Sequence, residues 1–333
     1  MIENNNTVHV FYGFDERFAP YASVSIASLV DHCNSKRRYV IHILHTDLKE
    51  ETQRKLLTLE KRNVFLRFDS VKEELDSLLS ALPIRDYYSP STYFRLLIGK
   101  KYPRINKAVY LDGDTLVKED IAHLFDIDLG NHWVGGVTDC VVTEIKPCYD
   151  YVEKALGIVP KKYINAGMML INVKAWREND LLGRFLSLFR FYSFRVAQDQ
   201  DYLNVLLKGK IKYLPRKWNV ECLHRWRIHE NRIGLLHFNF SAKPWHDLTS
   251  PYALLFWEKA KEVPFSMEIK KEFCYYTSAQ LEAEKKVGVN VILACMDEVK
   301  NPDNFARKLA RVTEEEKELS PEEVPLFLVP KKA

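Results

Sequence analysis

Residues 107–117 read Lys-Ala-Val-Tyr-Leu-Asp-Gly-Asp-Thr-Leu-Val (KAVYLDGDTLV). The run 107–111 has the length and apolar content of a buried strand, and it stops at Asp112, so an acidic pair stands at a strand's carboxyl end. Acids at i and i+2 share a strand face, and Gly113 lets the backbone turn so that both carboxylates reach one ion. Oxygen donors in that arrangement suit a hard cation, Mn2+ or Mg2+, whose octahedron diphosphate oxygens can complete. Alone, the tripeptide fits equally an acidic turn capping the next helix.

Upstream, 8–13, 39–45 and 63–68 read as strands, with helices over 21–32 and 49–61 between them. This is a βαβαβ unit with parallel strands and right-handed crossovers, and its ligand belongs beyond the strands' carboxyl ends. The stretch 91–99 (STYFRLLIG) predicts a helix with Ser91 or Thr92 near its N-cap. Downstream come a helix over 120–125, a strand over 132–138, the apolar segment 163–172, and helices around 181–192 and 199–208. The texture changes from about Ser266. Residues 301–319 are largely charged and read as a surface helix, while 320–333 (SPEEVPLFLVPKKA) holds three prolines and reads as irregular. The chain thus divides into an α/β domain at 1–265 and an extension at 266–333, helical and partly irregular.

Composition narrows the class. With 333 residues and 47% hydrophobic content the chain can bury a large core, which excludes general disorder. Basic and acidic residues number 49 and 45, so the surface is mixed and no nucleic-acid partner is expected. The opening residues form no secretory signal and no run is long and apolar enough to span a bilayer, so a cytoplasmic chain is expected. Six dispersed cysteines without a CxxC pair read as reduced thiols. No GxGxxG follows Val10, and GK[ST], GxSxG and HExxH are absent, which removes dehydrogenase, P-loop, serine-hydrolase and zincin readings.

Other residues suit the chemistry of the acidic pair, each with a plainer alternative. His237 closes the apolar run 233–236, where imidazole would favour Mn2+ over Mg2+, or it is a hydrogen-bonded core histidine. Lys243, followed by Pro244 and Trp245, offers a cation for phosphate or lies on a surface loop. Asp15 follows the first strand, where acids contact nucleotides, or is an ordinary loop acid. Asn165, Ala166 and Gly167 suggest close ligand approach or a bulge. Asp199 and Gln200 either face a sugar or, with Asp201, cap a helix.

Taken in order, VFYGFDERFAPYASVSIASL, STYFRLLIG, AVYLDGDTLV, YINAGMMLINVKAW, QDQDYLN and HFNFSAKPW resemble glycosyltransferase family 8, over about residues 8–250. That family includes glycogenin and bacterial lipopolysaccharide glucosyl- and galactosyltransferases. The resemblance implies a GT-A fold at 1–265: a Rossmann-like nucleotide-binding half and a mixed central sheet flanked by helices. It implies a UDP-hexose donor, Mn2+, and transfer with retention to a hydroxyl of a saccharide or glycolipid. By position, Asp112, Asp114 and His237 match metal ligands, and Gly13 and Asp15 match uridine contacts. Arg95, Gly113, Asn165 and Ala166 match donor contacts, and Lys243 matches the diphosphate lysine. Gln200 matches the residue beneath the anomeric carbon, Asp199 a sugar-binding acid that is also the reserve nucleophile, and Asp139 an acid near the sugar or acceptor. Arg17 stands where many relatives have asparagine, and Phe240 replaces the glycine of HFxGxxKPW. The resemblance leaves two rival activities: self-glucosylation in the manner of glycogenin, with 17 tyrosines as candidate acceptors, and non-catalytic sugar-nucleotide binding. The basic, aromatic stretch 208–232, with Trp218 and Trp226, reads either as a peripheral contact with the inner membrane face or as ordinary surface and core.

Overall fold

A computed structural model describes residues 6–34, 36–80, 90–222, 228–240, 243–315 and 325–327. Strands β1 (Thr7–Gly13), β2 (Arg38–His45) and β3 (Val64–Ser70) alternate with helices α1 (Ala19–Asp31) and α2 (Glu50–Leu57), and α3 (Lys72–Ser80) follows. Pro20 in the first turn of α1 presets the helical φ, which is why this helix starts before Tyr21. After α4 (Phe94–Lys101) come β4 (Lys107–Leu111), β5 (Thr115–Val117), α5 (Ile121–Phe125), β6 (Val134–Thr138), α6 (Cys140–Glu144) and α7 (Lys146–Asp150). The order continues with β7 (Ile164–Asn172), α8 (Val173–Glu178), α9 (Leu181–Phe191), α10 (Gln198–Leu206), β8 (Ile211–Tyr213), β9 (Val220–Glu221) and β10 (Leu235–His237). Helices α11 (Ala253–Ala260), α12 (Ser266–Tyr275), α13 (Ser278–Lys300) and α14 (Phe305–Glu315) close the chain.

Seven strands form one sheet in the order β3-β2-β1-β4-β7-β6-β8, and β5-β10-β9 form a smaller one. β1 pairs in parallel with both β2 and β4, whereas β7 runs antiparallel to β4 and β6. The strand order therefore turns back between β1 and β4, and a crevice opens at their carboxyl ends, Gly13 and Leu111. Seven of the eight β2 residues are buried, as a parallel strand covered on both faces requires. In the small sheet, β10 lies antiparallel to β5 with His237 opposite Thr115.

Helix α1 is buried along most of its length, and its serines serve as ties. Ser25 Oγ lies 3.1 Å from Tyr12 Oη and 2.7 Å from Thr115 Oγ1, and Val117 N–H donates to Ser28 Oγ at 2.9 Å. The helix thus fixes β5, and with it the turn 112–114, against β1.

The N-cap expected of Ser91 or Thr92 is not formed. A 3-10 turn over Pro90–Tyr93 precedes α4, Tyr93 occupies the cap without a side-chain bond, and Thr92 donates its hydroxyl elsewhere. Trp218 is 2% exposed within the core, so it is not a surface aromatic, while Trp226 lies outside the described residues. Much of 320–333 lies outside them too. Among the described residues no helix is long and apolar enough to cross a membrane. The segment from Ser266 packs into the body: Ile269 joins the core beside β1, and Cys295 and Phe305 join the core on the other side of the sheet.

Asp120 caps α5 through Ala122 N–H and also accepts Tyr39 Oη–H at 2.6 Å and Asn34 N–H at 3.1 Å. Loss of a cap costs about 1 kcal/mol and each buried donor left without a partner about 1–3 kcal/mol. Asp120→Ala is expected to lower unfolding free energy by about 2–4 kcal/mol, read as a lower urea midpoint with an unchanged slope.

Candidate active site

The turn between β4 and β5 is held by neighbours on three sides. Asp112 N–H donates to Gly167 C=O at 2.8 Å, Phe238 N–H donates to Asp114 C=O at 2.9 Å, and Gly113 leaves its own Cβ position to Phe18 and Ala22. The β5–β10 pairing then carries His237 across to the turn. Ligand atoms of Asp112, Asp114 and His237 all lie within 4.8 Å of one another. His237 Nε2 is 3.3 Å from Asp114 Oδ1 and 4.0 Å from Asp112 Oδ2. A Cβ on Gly167 would stand 2.2 Å from His237 Cε1 and 2.8 Å from Asp112 Oδ2, so only glycine leaves the triad its space.

Each acid has a cation. Arg95, buried in α4, donates to Asp112 Oδ1 at 2.9 Å, to Ala166 C=O and to Thr92 C=O, and lies over the Tyr110 ring. Lys243 Nζ donates to Asp114 Oδ2 at 2.5 Å and to Phe238 C=O at 2.7 Å. Burial pushes the Asp114 carboxyl up, but Lys243 and His237 outweigh it and hold it well below the carboxylate range. Burial likewise lowers His237, and Asp114 more than reverses this. Among the described residues, none donates a hydrogen bond to the buried Asp114 Oδ1. A buried carboxylate oxygen facing an imidazole nitrogen is a place where positive charge is stabilised, and the donor set O, O, N fits a divalent cation.

A chain of amides fixes the orientation of His237. Asp139 Oδ2 can only accept, and it takes hydrogen bonds from Asn165 Nδ2 at 3.2 Å and Gln200 Nε2 at 3.0 Å. Asn165 Oδ1 then faces Asn219 Nδ2 at 2.9 Å, and Asn219 Oδ1 faces His237 Nδ1 at 3.1 Å. Read from the carboxylate, every amide has one permitted direction, so Nδ1 carries a proton and Nε2 is the nitrogen that faces the two acids. Gln200 is clamped at both ends, because its Oε1 accepts Ala166 N–H at 2.9 Å.

Asp199 lies in the first turn of α10 but does not cap it. Thr92 Oγ1–H donates to its Oδ1 at 2.7 Å, Arg95 Nε is 3.3 Å from its Oδ2, and burial raises its carboxyl while Arg95 opposes the rise. The capping role falls to Asp201, which accepts Ala197 N–H at 2.9 Å together with the Tyr151 and Tyr163 hydroxyls.

Two cavities meet at the triad. One, of about 420 Å³, is lined by Gly13, Phe14, Asp15, Phe18, Tyr110 and Gly113; the other, of about 440 Å³, by Asn165, Ala166, Gln200, His237 and part of α13. Thr92, Arg95, Asp112, Asp114 and Lys243 line both. Asp15 also turns one oxygen to Phe18 N–H at 2.9 Å. Of the residues singled out in the sequence, Asp139 lies behind this lining, 1% exposed, and reaches it through Asn165 and Gln200. Arg17 is exposed outside both cavities.

Sequence reading missed Asn219, Thr92 as a partner of Asp199, and Glu221. Glu221 is buried beside His237 in β9, accepts from Cys140 and Asn239, and is raised to about 7 by burial and by Asp139. No local pattern marks these residues, whose partners lie far away in the chain.

A mixed seven-stranded sheet with an acidic turn at its crevice is the GT-A architecture. The profile of "Glycosyl transferase family 8" matches residues 9–249, and the chain belongs to that family. It is 28% identical over 269 residues to the lipopolysaccharide 1,2-glucosyltransferase of Escherichia coli K12, covering 74% of this chain and 75% of that one. It is 24% identical over 274 residues to the lipopolysaccharide 1,3-galactosyltransferase of Salmonella typhimurium, covering 78% and 79%. The galactosyltransferase LgtC, solved with donor and acceptor sugar analogues, superposes with a TM-score of 0.64 at 27% identity, over 77% of this chain and 96% of that one. The protein is a hexosyltransferase.

Burial raises Asp201 to about 6 despite its three donors. A carboxyl raised on folding favours the folded state while protonated, so its contribution fades as pH climbs from the unfolded value towards the folded one. Measured against Asp201→Asn, the wild-type unfolding free energy is expected to fall between about pH 4 and pH 6 and to level off above.

Proposed function

We propose that the protein transfers a hexose from a UDP-sugar to a hydroxyl of a saccharide or glycolipid acceptor, of the lipopolysaccharide-core kind, with retention at the anomeric carbon and with Mn2+, or less favourably Mg2+, held by Asp112, Asp114 and His237. The observation that carries this is the triad at the junction of two cavities. The first, with its aromatic walls and Asp15, has the size and chemistry for a nucleoside; the second, lined by amides and acids, suits a sugar. The names of the lipopolysaccharide glucosyl- and galactosyltransferase relatives support the hexose donor and the class of acceptor.

Charge counting supports the metal. In the shared lining Arg95 and Lys243 are matched by Asp112 and Asp114, and Asp199 adds an acid in the second cavity, so among the described residues lining both cavities the cations carry no charge in excess of the acids to meet a diphosphate. A divalent cation, when bound, supplies that charge as a Lewis acid at the leaving diphosphate. Lys243, paired with Asp114, adds its ammonium on the same side. Asn165 and Asp199 hold sugar hydroxyls. Gln200 presents a neutral amide, a weak nucleophile but a dipole compatible with an oxocarbenium-like sugar. Front-face attack follows, in which the acceptor hydroxyl approaches from the diphosphate side and a phosphate oxygen takes its proton. Asp199 is the reserve nucleophile, and its engagement by Thr92 and Arg95 weakens it for that task.

Calorimetry with UDP is expected to show binding that needs Mn2+ and that falls at least about tenfold, about 1.4 kcal/mol, in Asp112→Asn, Asp114→Asn and His237→Ala. Binding that survives in all three would overturn the assignment of the ligands. NMR of the product from a UDP-α-hexose is expected to show an α linkage, and a β linkage would exclude retention.

A further inference from the structure

Helix α13 lies outside the matched family region, yet it reaches the catalytic cavity. It opens on a capping box between Thr277 and Gln280 and is fastened near both ends. Near the first, Glu284 Oε2 lies 3.0 Å from His246 Nδ1 and accepts the Tyr276 hydroxyl at 3.3 Å, while His246 stacks flat on Tyr276 at 3.7 Å. Near the second, Cys295 is buried against Cys148 of α7, and buried Glu298 accepts the Tyr192 hydroxyl at 2.7 Å. Between these ties, Val287 and Val291 sit one helical turn apart and line the cavity that holds Asn165, Asp199 and Gln200. Val287 is 53% exposed, although it belongs to a fastened helix.

Phe240 lines the same cavity from the loop after β10. Its φ of 52° is left-handed and the residue is 40% exposed. A bulky side chain in that conformation is strained, and such strain gathers at functional sites.

We propose that Val287 and Val291, with Phe240, form the acceptor subsite and receive the carbon-hydrogen face of the terminal sugar of a saccharide acceptor. This rests on the transferase reading above. The donor has polar partners for its diphosphate and its hydroxyls in Arg95, Lys243, Asn165, Asp199 and Gln200. That leaves the carbon wall for the second ligand. A pyranose presents one such apolar face and a rim of hydroxyls, which matches aliphatic and aromatic carbon set beside amides and acids. Because α13 lies beyond the family's shared region, this wall gives the chain its own choice of acceptor on a common donor machinery.

The test uses the full-length chain with Mn2+, radiolabelled UDP-glucose and UDP-galactose, and a broad array of immobilised glycans. Wild type is expected to hydrolyse one donor slowly and to label a subset of glycans. Val287→Asn/Val291→Asn is expected to raise KM for the best glycan about tenfold, roughly 1.4 kcal/mol and within what burying valine supplies, with UDP affinity and donor hydrolysis within about twofold of wild type. Circular dichroism and thermal midpoints check that both proteins are folded, and Val287→Ala, expected to give a smaller rise in KM, guards against a variant that fails to fold. Unchanged KM, or a parallel loss of donor hydrolysis, overturns the acceptor wall. Hydrolysis without labelling of any glycan overturns the saccharide assignment. If wild type neither binds UDP nor hydrolyses either donor, the transferase reading itself fails and this inference falls with it.

Discussion

The antiparallel pairing of β5 with β10 is the constraint on which the site depends. It sets His237 opposite Thr115, and so beside Asp114, although the two lie 123 positions apart in the chain. Register leaves no tolerance here, since a slip of one residue would turn His237 to the other face of the small sheet. Several features defend the pairing. The serines of α1 tie β5 to β1, Phe238 N–H bonds Asp114 C=O, and Cys222 N–H bonds His237 C=O. Burying two carboxylates and an imidazole together is costly in itself, and Arg95 and Lys243 offset that cost by sitting within ion-pair distance of the acids.

Much of the large sheet is legible in the sequence because its signals are local. The strands β1 to β4 are short apolar runs separated by amphipathic stretches, and the turn 112–114 declares itself by acids after one of them. The site is legible only in pieces. His237 reads alone as one histidine after an apolar run; nothing near it names Asp114, and only the ordered set of six segments joins them. Asn219 is less visible still. Its importance comes from standing between Asn165 and His237 in a relay that starts at the Asp139 carboxylate, and each link spans at least 18 residues of chain. The expected cap at Ser91 or Thr92 fails for a related reason, since the Thr92 hydroxyl meets a buried acid 107 residues away, a stronger demand than a helix end.

The segment beyond Ser266 reads in the sequence only as an extension, helical and partly irregular, with a charged surface helix over 301–319. A helix needs only one covered stripe to dock. In α13 the covered residues, Cys295 and Glu298, lie near one end, and Glu298 is a carboxylate satisfied by Tyr192 and Arg195. Apolar residues of the same helix, Val287, Val289 and Leu293, are half-exposed. Reading hydrophobic faces therefore understates how firmly this helix is held, because polar ties do much of the fastening.

Phe240 joins these strands of argument. The resemblance to HFxGxxKPW places a glycine there, and glycine enters the left-handed region without penalty, whereas phenylalanine does not. The backbone at Phe240 nonetheless keeps φ at 52°, and the described residues on either side are fixed, by the β10 pairing before it and, from Lys243 on, by the Lys243 ion pair and the stacking of Trp245 on Tyr21 at 4.1 Å. A side chain on a positive-φ backbone projects differently from one on a strand, and Phe240 stays 40% exposed while it lines the cavity. The substitution thus adds an aromatic surface to the cleft while the loop keeps the backbone conformation that a glycine would adopt. Asn239, next to it, keeps Oδ1 buried with no donor among the described residues, a second sign that the backbone at 239–240 is held against local cost.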